Sequence, residues 1–229
     1  MDAELSPSAP RHLVVLAHPD PTSFNAHVAE AYCDAVRACG QAAVLRDLYA
    51  IRFDPLLHAD ERPSQKTFTV YPDVQREIDM IAGADVLVLV YPIWFGSAPA
   101  ILKGYVDRVL GSGVSPAAVQ KHLGSGLLNG CRLVSFTSSG AREPWLAEVG
   151  QELSLRGVFD RYLEHAFGMK SSEHFTFGGI VEGLSERFVD QYLHDVRDRA
   201  RRICAGLAAA KHKAPANAAC ALRRVDAKA

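Results

Sequence analysis

The stretch Asp85-Val-Leu-Val-Leu-Val-Tyr91 constrains the chain more than any other. An unbroken apolar run of this kind is a strand buried on both faces, as in the middle of a parallel sheet. Parallel neighbours need crossover connections, so the flanking segments should alternate strand with helix. They do. Leu13 to Ala17 reads as a buried strand, and a helix follows from about Asn25 to Ala38 with Gly40 as its stop. Val44 and Leu45 mark a second strand, and a polar, proline-punctuated segment runs from Asp47 to Pro72. A helix from Asp73 to Ala82 precedes the central run. Beyond it the pattern predicts a helix over Pro99 to Leu110, a strand over Arg132 to Thr137 and mostly helix from Trp145 to Phe167 with a break near Gly157. A strand over Lys170 to Gly178 and a last helix from Leu184 to Leu207 complete it. The expected fold is α/β, a doubly wound five-stranded parallel sheet.

The chain has 229 residues, 48% of them hydrophobic, which is enough to bury one substantial core. One domain is expected over residues 11–210, with residues 1–10 and 211–229 as disordered tails. No apolar stretch reaches the roughly 20 residues of a membrane span, and the start lacks a signal-peptide pattern, so a cytoplasmic protein is expected. The five cysteines form no CxxC pair and no metal-type spacing; reduced thiols are expected, with Cys33 and Cys131 in the core, and no metal. A net charge of −1 with interspersed signs leaves no footprint for nucleic acid.

In doubly wound folds the ligand lies outside the carboxyl ends of the strands, which selects three loops. The first is His18 to Asn25. Unpaired N–H groups at the start of the following helix, with hydroxyls from Thr22 and Ser23, make an anion site without glycines. Ordinary N-capping by Thr22 or Ser23 is the plainer alternative, and His18 is either a phosphate ligand or simply the end of a strand. The second, Tyr91 to Val109, presents Trp94 and Phe95 straight after the central strand, against a planar ring or under a neighbouring loop or subunit. The third, Thr137 to Trp145, is rich in hydroxyl and backbone donors. Phosphate donors, an aromatic platform and a polar loop on successive strand ends meet the requirements of a flavin.

These residues carry a resemblance. From about Arg11 to Leu207 the chain resembles the flavodoxin-like NAD(P)H:quinone oxidoreductases. His18, Thr22, Ser23, Phe24 and Asn25 match that family's His…Thr-Ser-Phe-Asn flavin-phosphate loop, and Asp47 to Pro55 and Pro99 to Val109 look like family signatures. The resemblance implies strand order 2-1-3-4-5, a tightly bound flavin and a homodimer with active sites at the subunit interface. It also implies a two-electron cycle from NAD(P)H through flavin to a quinone, or to an azo or nitro acceptor. By the same match Pro92, Ile93, Trp94 and Phe95 line the isoalloxazine, and Thr137, Ser138, Ser139 and Gly140 donate to its pyrimidine side. Ser138, Ser139 and Gly140 would stabilise the reduced flavin.

Two departures stand out. The family's Thr-Thr-Gly-Gly loop is Thr137-Ser138-Ser139-Gly140 here, and the mammalian members' Tyr and His fall on Trp145 and Gln151. His165 then reads as a helix-surface residue and His174 as a polar strand position. FAD is favoured, with FMN the alternative. Two competing functions share the fold: a regulatory flavin-binding subunit of a glutathione-gated potassium efflux system, and a flavodoxin-type electron carrier. The near-neutral charge speaks against the carrier.

Overall fold

The computed structural model describes residues 9–63, 66–121 and 126–222. Five strands form one parallel sheet: β1 (Arg11–Leu16), β2 (Ala42–Asp47), β3 (Val86–Pro92), β4 (Arg132–Ser138) and β5 (Ser171–Phe177), ordered β2-β1-β3-β4-β5. The central β3 is buried at every position, as its unbroken apolar run requires.

Alternation along the strands builds two cores. Val14, Val88, Val90, Val134 and Phe136 face one side, under α1 (Phe24–Ala38) and α8 (Glu186–Leu222). Leu13, Val15, Leu87, Leu89 and Leu133 face the other. That side is covered by α2 (Pro72–Ile81) and α3 (Ala100–Tyr105), which continues as a π-type turn to Leu110. A short α4 (Pro116–Gln120) follows, then α5 (Glu143–Glu148), α6 (Gln151–Leu155), a second π-type turn over Arg156–Asp160, and α7 (Arg161–Ala166).

The two signature segments pack on each other. A Cβ on Gly104 would stand 2.3 Å from the Pro55 carbonyl oxygen, so only glycine lets α3 approach there. The Phe53 and Tyr105 rings meet with centroids 5.3 Å apart. Arg108, 2% exposed, donates to the Asp54 carbonyl at 2.6 Å, to Glu61 at 2.9 Å and to Asp73 at 2.7 Å. This buried clamp fastens the long connection between β2 and α2, which among its described residues has one turn of 3-10 helix (Ala59–Glu61).

Two expectations change. The helical break falls at Gly150, which is left-handed at φ 68°, while Gly157 sits inside the π-type turn. A positive φ is what ends α5, and Gly157 is not asked for one. The last helix runs beyond Leu207 to Leu222, because alanine-rich sequence extends an anchored helix without a new nucleation step. Residues 1–8 and 223–229, parts of the expected tails, lie outside the described residues. Among the described residues no helix is long and apolar enough to cross a membrane.

Candidate functional site

The loop from β1 to α1 is organised by its own side chains. Asp20 accepts from the Thr22 N–H at 2.8 Å and from the Thr22 hydroxyl at 2.7 Å. These two bonds hold the Asp20 carboxyl below the usual aspartate range. His18 Nδ1 accepts from the Asp20 N–H at 3.0 Å. Ser23 is the N-cap of α1, its Oγ accepting from the Ala26 N–H at 3.2 Å, so the capping role is realised. The N–H groups of Phe24 and Asn25 precede the first intrahelical bond and carry the helix's positive end.

A single side chain ties this loop to the third one. Asn25, 3% exposed, donates Nδ2–H to Ser138 Oγ at 2.8 Å. The second loop is joined to the same point, since the Ile93 N–H donates to the Ser138 carbonyl at 2.7 Å. Beyond Ile93 the chain turns sharply: Trp94 and Ser97 exchange backbone bonds of 3.0 and 3.1 Å around Phe95 and Gly96, both left-handed at φ 49° and 80°. That is the backbone of a type I′ turn, and a bulky residue at its first central position is strained. The Phe95 ring projects fully into solvent, and Trp94 is 41% exposed with its ring 5.9 Å from that of His18. Gln151 fixes the turn from α6, donating Nε2–H to the Gly96 carbonyl at 2.6 Å.

In the third loop the Ser139 N–H donates to the Phe177 carbonyl at 2.9 Å, and Ser139 Oγ accepts from the Ala141 N–H at 3.1 Å. The three loops surround a pocket of about 170 Å³. His18, Phe24 and Asn25 contribute from the first, Pro92, Ile93 and Trp94 from the second, and Ser138, Ser139 and Gly140 from the third. Ile180 closes it from beyond β5, a residue the sequence offered no reason to select. A second cavity of about 560 Å³ shares Gly140 and is walled by Arg142, Leu184, Phe188 and Tyr192.

Thr22, Ser23 and Phe95 belong to these loops without lining the pocket. Two further expected residues are placed elsewhere. Thr137 is fully buried on the opposite face from Ser138, as strand alternation dictates, and its hydroxyl shares a 2.9 Å hydrogen bond with His174 Nε2. Its side chain is therefore not a donor to anything in the pocket. Trp145 sits half-exposed on α5, away from the pocket wall. His174 is a polar strand position on β5 as expected, and it is buried: its Nδ1 lies 2.5 Å from Asp160 Oδ2, and Ser135 donates to Asp160 Oδ1 at 2.6 Å. His165 is on the helix surface as expected.

Five parallel strands in this order, with one pocket enclosed by three strand-end loops, define a flavodoxin-like protein. The family model described as flavodoxin-like fold matches residues 10–200. An uncharacterized NAD(P)H oxidoreductase of Haemophilus influenzae is 32% identical over 204 residues, covering 89% of this chain and 94% of that protein. NAD(P)H dehydrogenase (quinone) 1 of Rattus norvegicus is 30% identical over 165 residues, covering 65% of this chain and 57% of the rat protein. The chain thus aligns with little more than half the length of that relative. Among solved structures, an NAD(P)H:quinone oxidoreductase from Methanothermobacter marburgensis aligns with a TM-score of 0.73 at 25% identity, over 86% of this chain and 96% of that one. The chain belongs to the flavodoxin-like NAD(P)H oxidoreductase and quinone reductase family and is an oxidoreductase.

Proposed function

We propose that the protein binds a flavin across the three loops and passes two electrons from NAD(P)H to a quinone. The observation that carries this reading is the Asn25 to Ser138 hydrogen bond, which brings the start of α1 and the end of β4 to one pocket beside Trp94. The residues present fit the group. The free N–H groups of Phe24 and Asn25 suit a phosphate, and Ser138, Ser139 and Gly140 supply donors to the polar edge of a ring. Ile93 and Trp94 supply an apolar face. A bound flavin would supply the hydride and electron chemistry. The chain's part is to hold the ring edge, align it with the second substrate and place fixed donors where negative charge develops. Azo and nitro compounds are acceptors of the same kind.

A recess of about 170 Å³ takes one edge of a ring system, not all of it. Trp94 and Phe95 stand uncovered beside it, and Leu153, Val158 and Tyr162 are exposed on the neighbouring helical segments. A homodimer that buries these residues would complete the site and remove an aggregation liability. The cavity walled by Phe188 and Tyr192 has room for the adenosine half of FAD, which favours FAD over FMN. Purification with a flavin spectrum, identification of the released flavin by mass and NAD(P)H-dependent quinone reduction test the reading together. A colourless protein that binds neither flavin would refute it, and activity appearing only alongside a membrane transporter would favour the regulatory-subunit alternative.

A further inference from the structure

On the α1 and α8 side of the sheet, two cysteines meet at the seam between the helices. Cys39 is the C-cap of α1, its N–H bonded to the Ala35 and Val36 carbonyls at 3.2 and 3.0 Å, and it is exposed. Cys204, on α8, is 2% exposed and packs in the same core as Ala35 and Val36. Gln41, two positions past Cys39, reaches across to donate Nε2–H to the Cys204 carbonyl at 2.9 Å, fixing the two segments against each other. Across that seam Cys39 is the side chain that acts most strongly on the Cys204 thiol. Burial first, and Cys39 beside it second, push the Cys204 thiol up to about 12, so Cys204 keeps its proton. The sulfur an oxidant reaches first is the exposed one. The other cysteines in this part of the fold do not compete: Cys33 is enclosed in the core, and Cys131 lies in the core on the other face of the sheet.

We propose that Cys39 and Cys204 are a redox-reactive pair that closes to a disulfide under hydrogen peroxide. The Cys39 thiolate attacks one peroxide oxygen; the O–O bond breaks, leaving a sulfenic acid on Cys39 and a hydroxide that takes up the proton the Cys39 thiol had released, giving one water. The Cys204 sulfur then attacks the Cys39 sulfur. The S–S bond forms, the S–O bond breaks, and the departing hydroxide takes the Cys204 proton to leave as the second water. Two thiols lose two electrons and two protons, and one peroxide becomes two waters. The closed bond ties the end of α1 to α8 at the opposite end of α1 from the pocket, and the loop it closes contains most of the domain. It therefore restrains the unfolded chain and leaves the pocket as it was.

The test treats the full-length protein with stoichiometric hydrogen peroxide, blocks remaining thiols with N-ethylmaleimide and maps the peptides without reduction. The expected result is a Cys39–Cys204 linked peptide, a loss of two hydrogens from the intact mass, and an upward shift of the melting midpoint by several degrees that dithiothreitol reverses. Cys39→Ser, a change at an exposed position, should remove both the link and the shift. In Cys204→Ala, Cys39 should instead stop at a sulfenic acid trapped by dimedone. The proposal is overturned if Cys39 in the unaltered chain runs on to sulfinic acid with Cys204 free. A link from Cys39 to Cys220 or to a second copy of the chain overturns it equally.

Discussion

Ser138 and Thr137 are neighbours on β4, yet they serve different parts of the molecule. Ser138 faces the α1 side, where its hydroxyl accepts from Asn25 and its loop opens on a pocket. Thr137 faces the other way, into a buried chain that runs through His174 and Asp160 to Ser135. On the first side, donors from different loops converge around space. On the second, the polar atoms are spent on one another: His174 Nδ1 is bonded to Asp160 and its Nε2 to the Thr137 hydroxyl, so neither ring nitrogen is left over. Strand alternation lets a single strand end carry a ligand wall on one face and an internal brace on the other. Polar side chains at consecutive positions of one loop are therefore not interchangeable candidates for binding.

The largest effect that would sharpen this contrast is on stability. His174→Ala leaves the buried Asp160 carboxyl with one of its two hydrogen-bond partners missing, and an unsatisfied buried acceptor of this kind costs roughly 3 kcal/mol. Urea unfolding should show that loss, while flavin affinity of the folded fraction stays unchanged. Weakened flavin binding without destabilisation would break the comparison.

The converse variant is Asn25→Ala with Ser138→Ala. These residues line the pocket, and losing charge-assisted contacts costs on the order of 1.5 to 3 kcal/mol each, about tenfold or more in flavin Kd. Fluorescence titration measures it, and a near-wild-type Kd would return Asn25 to the role of a structural tie. A smaller change, Thr137→Val, keeps the side-chain shape and removes one hydroxyl from the brace. About 1 to 2 kcal/mol of stability should go, with no change in quinone reduction per folded molecule.

The smallest effect concerns His12, which with His174 is buried. His12 lies between Tyr32 Oη at 2.9 Å and Gln41 Oε1 at 3.0 Å, and burial lowers its pKa below the ordinary value of 6.5. Below about pH 6.5 the unfolded chain takes up a proton that the folded one refuses. Stability is then full above that value and declines as pH falls through the window toward the lowered folded value. His12→Gln should flatten the decline, seen as urea midpoints at about pH 7.5 and about pH 5.5 that lie closer together than those of the unaltered protein. An unchanged slope would show that some other group governs it.

Much of the fold was legible because it rests on local pattern. The apolar run of β3 needs two covered faces wherever it occurs, and the strand order followed from the resemblance that the His18 to Asn25 loop carried. The site was legible only as far as each residue's own loop. That Asn25 meets Ser138 depends on the order of the strands, and that Thr137 turns away depends on where β4 begins its alternation, which no single loop reveals. His174 looked like an ordinary polar strand residue because its partners, Asp160 in the π-type turn and Thr137 on β4, are brought together only by the fold. The break expected near Gly157 falls at Gly150, and only the backbone angle reveals which glycine the turn uses.

The most direct test of the account is a titration of flavin-free protein with FAD and with FMN, followed by quenching of flavin fluorescence, for the unaltered chain, Asn25→Ala with Ser138→Ala, and Thr137→Val. The account predicts saturable binding by the unaltered chain, binding weakened about tenfold or more when the pocket residues are changed, and undiminished binding in the Thr137 variant. No binding by the unaltered chain, or equal loss in both variants, would contradict it.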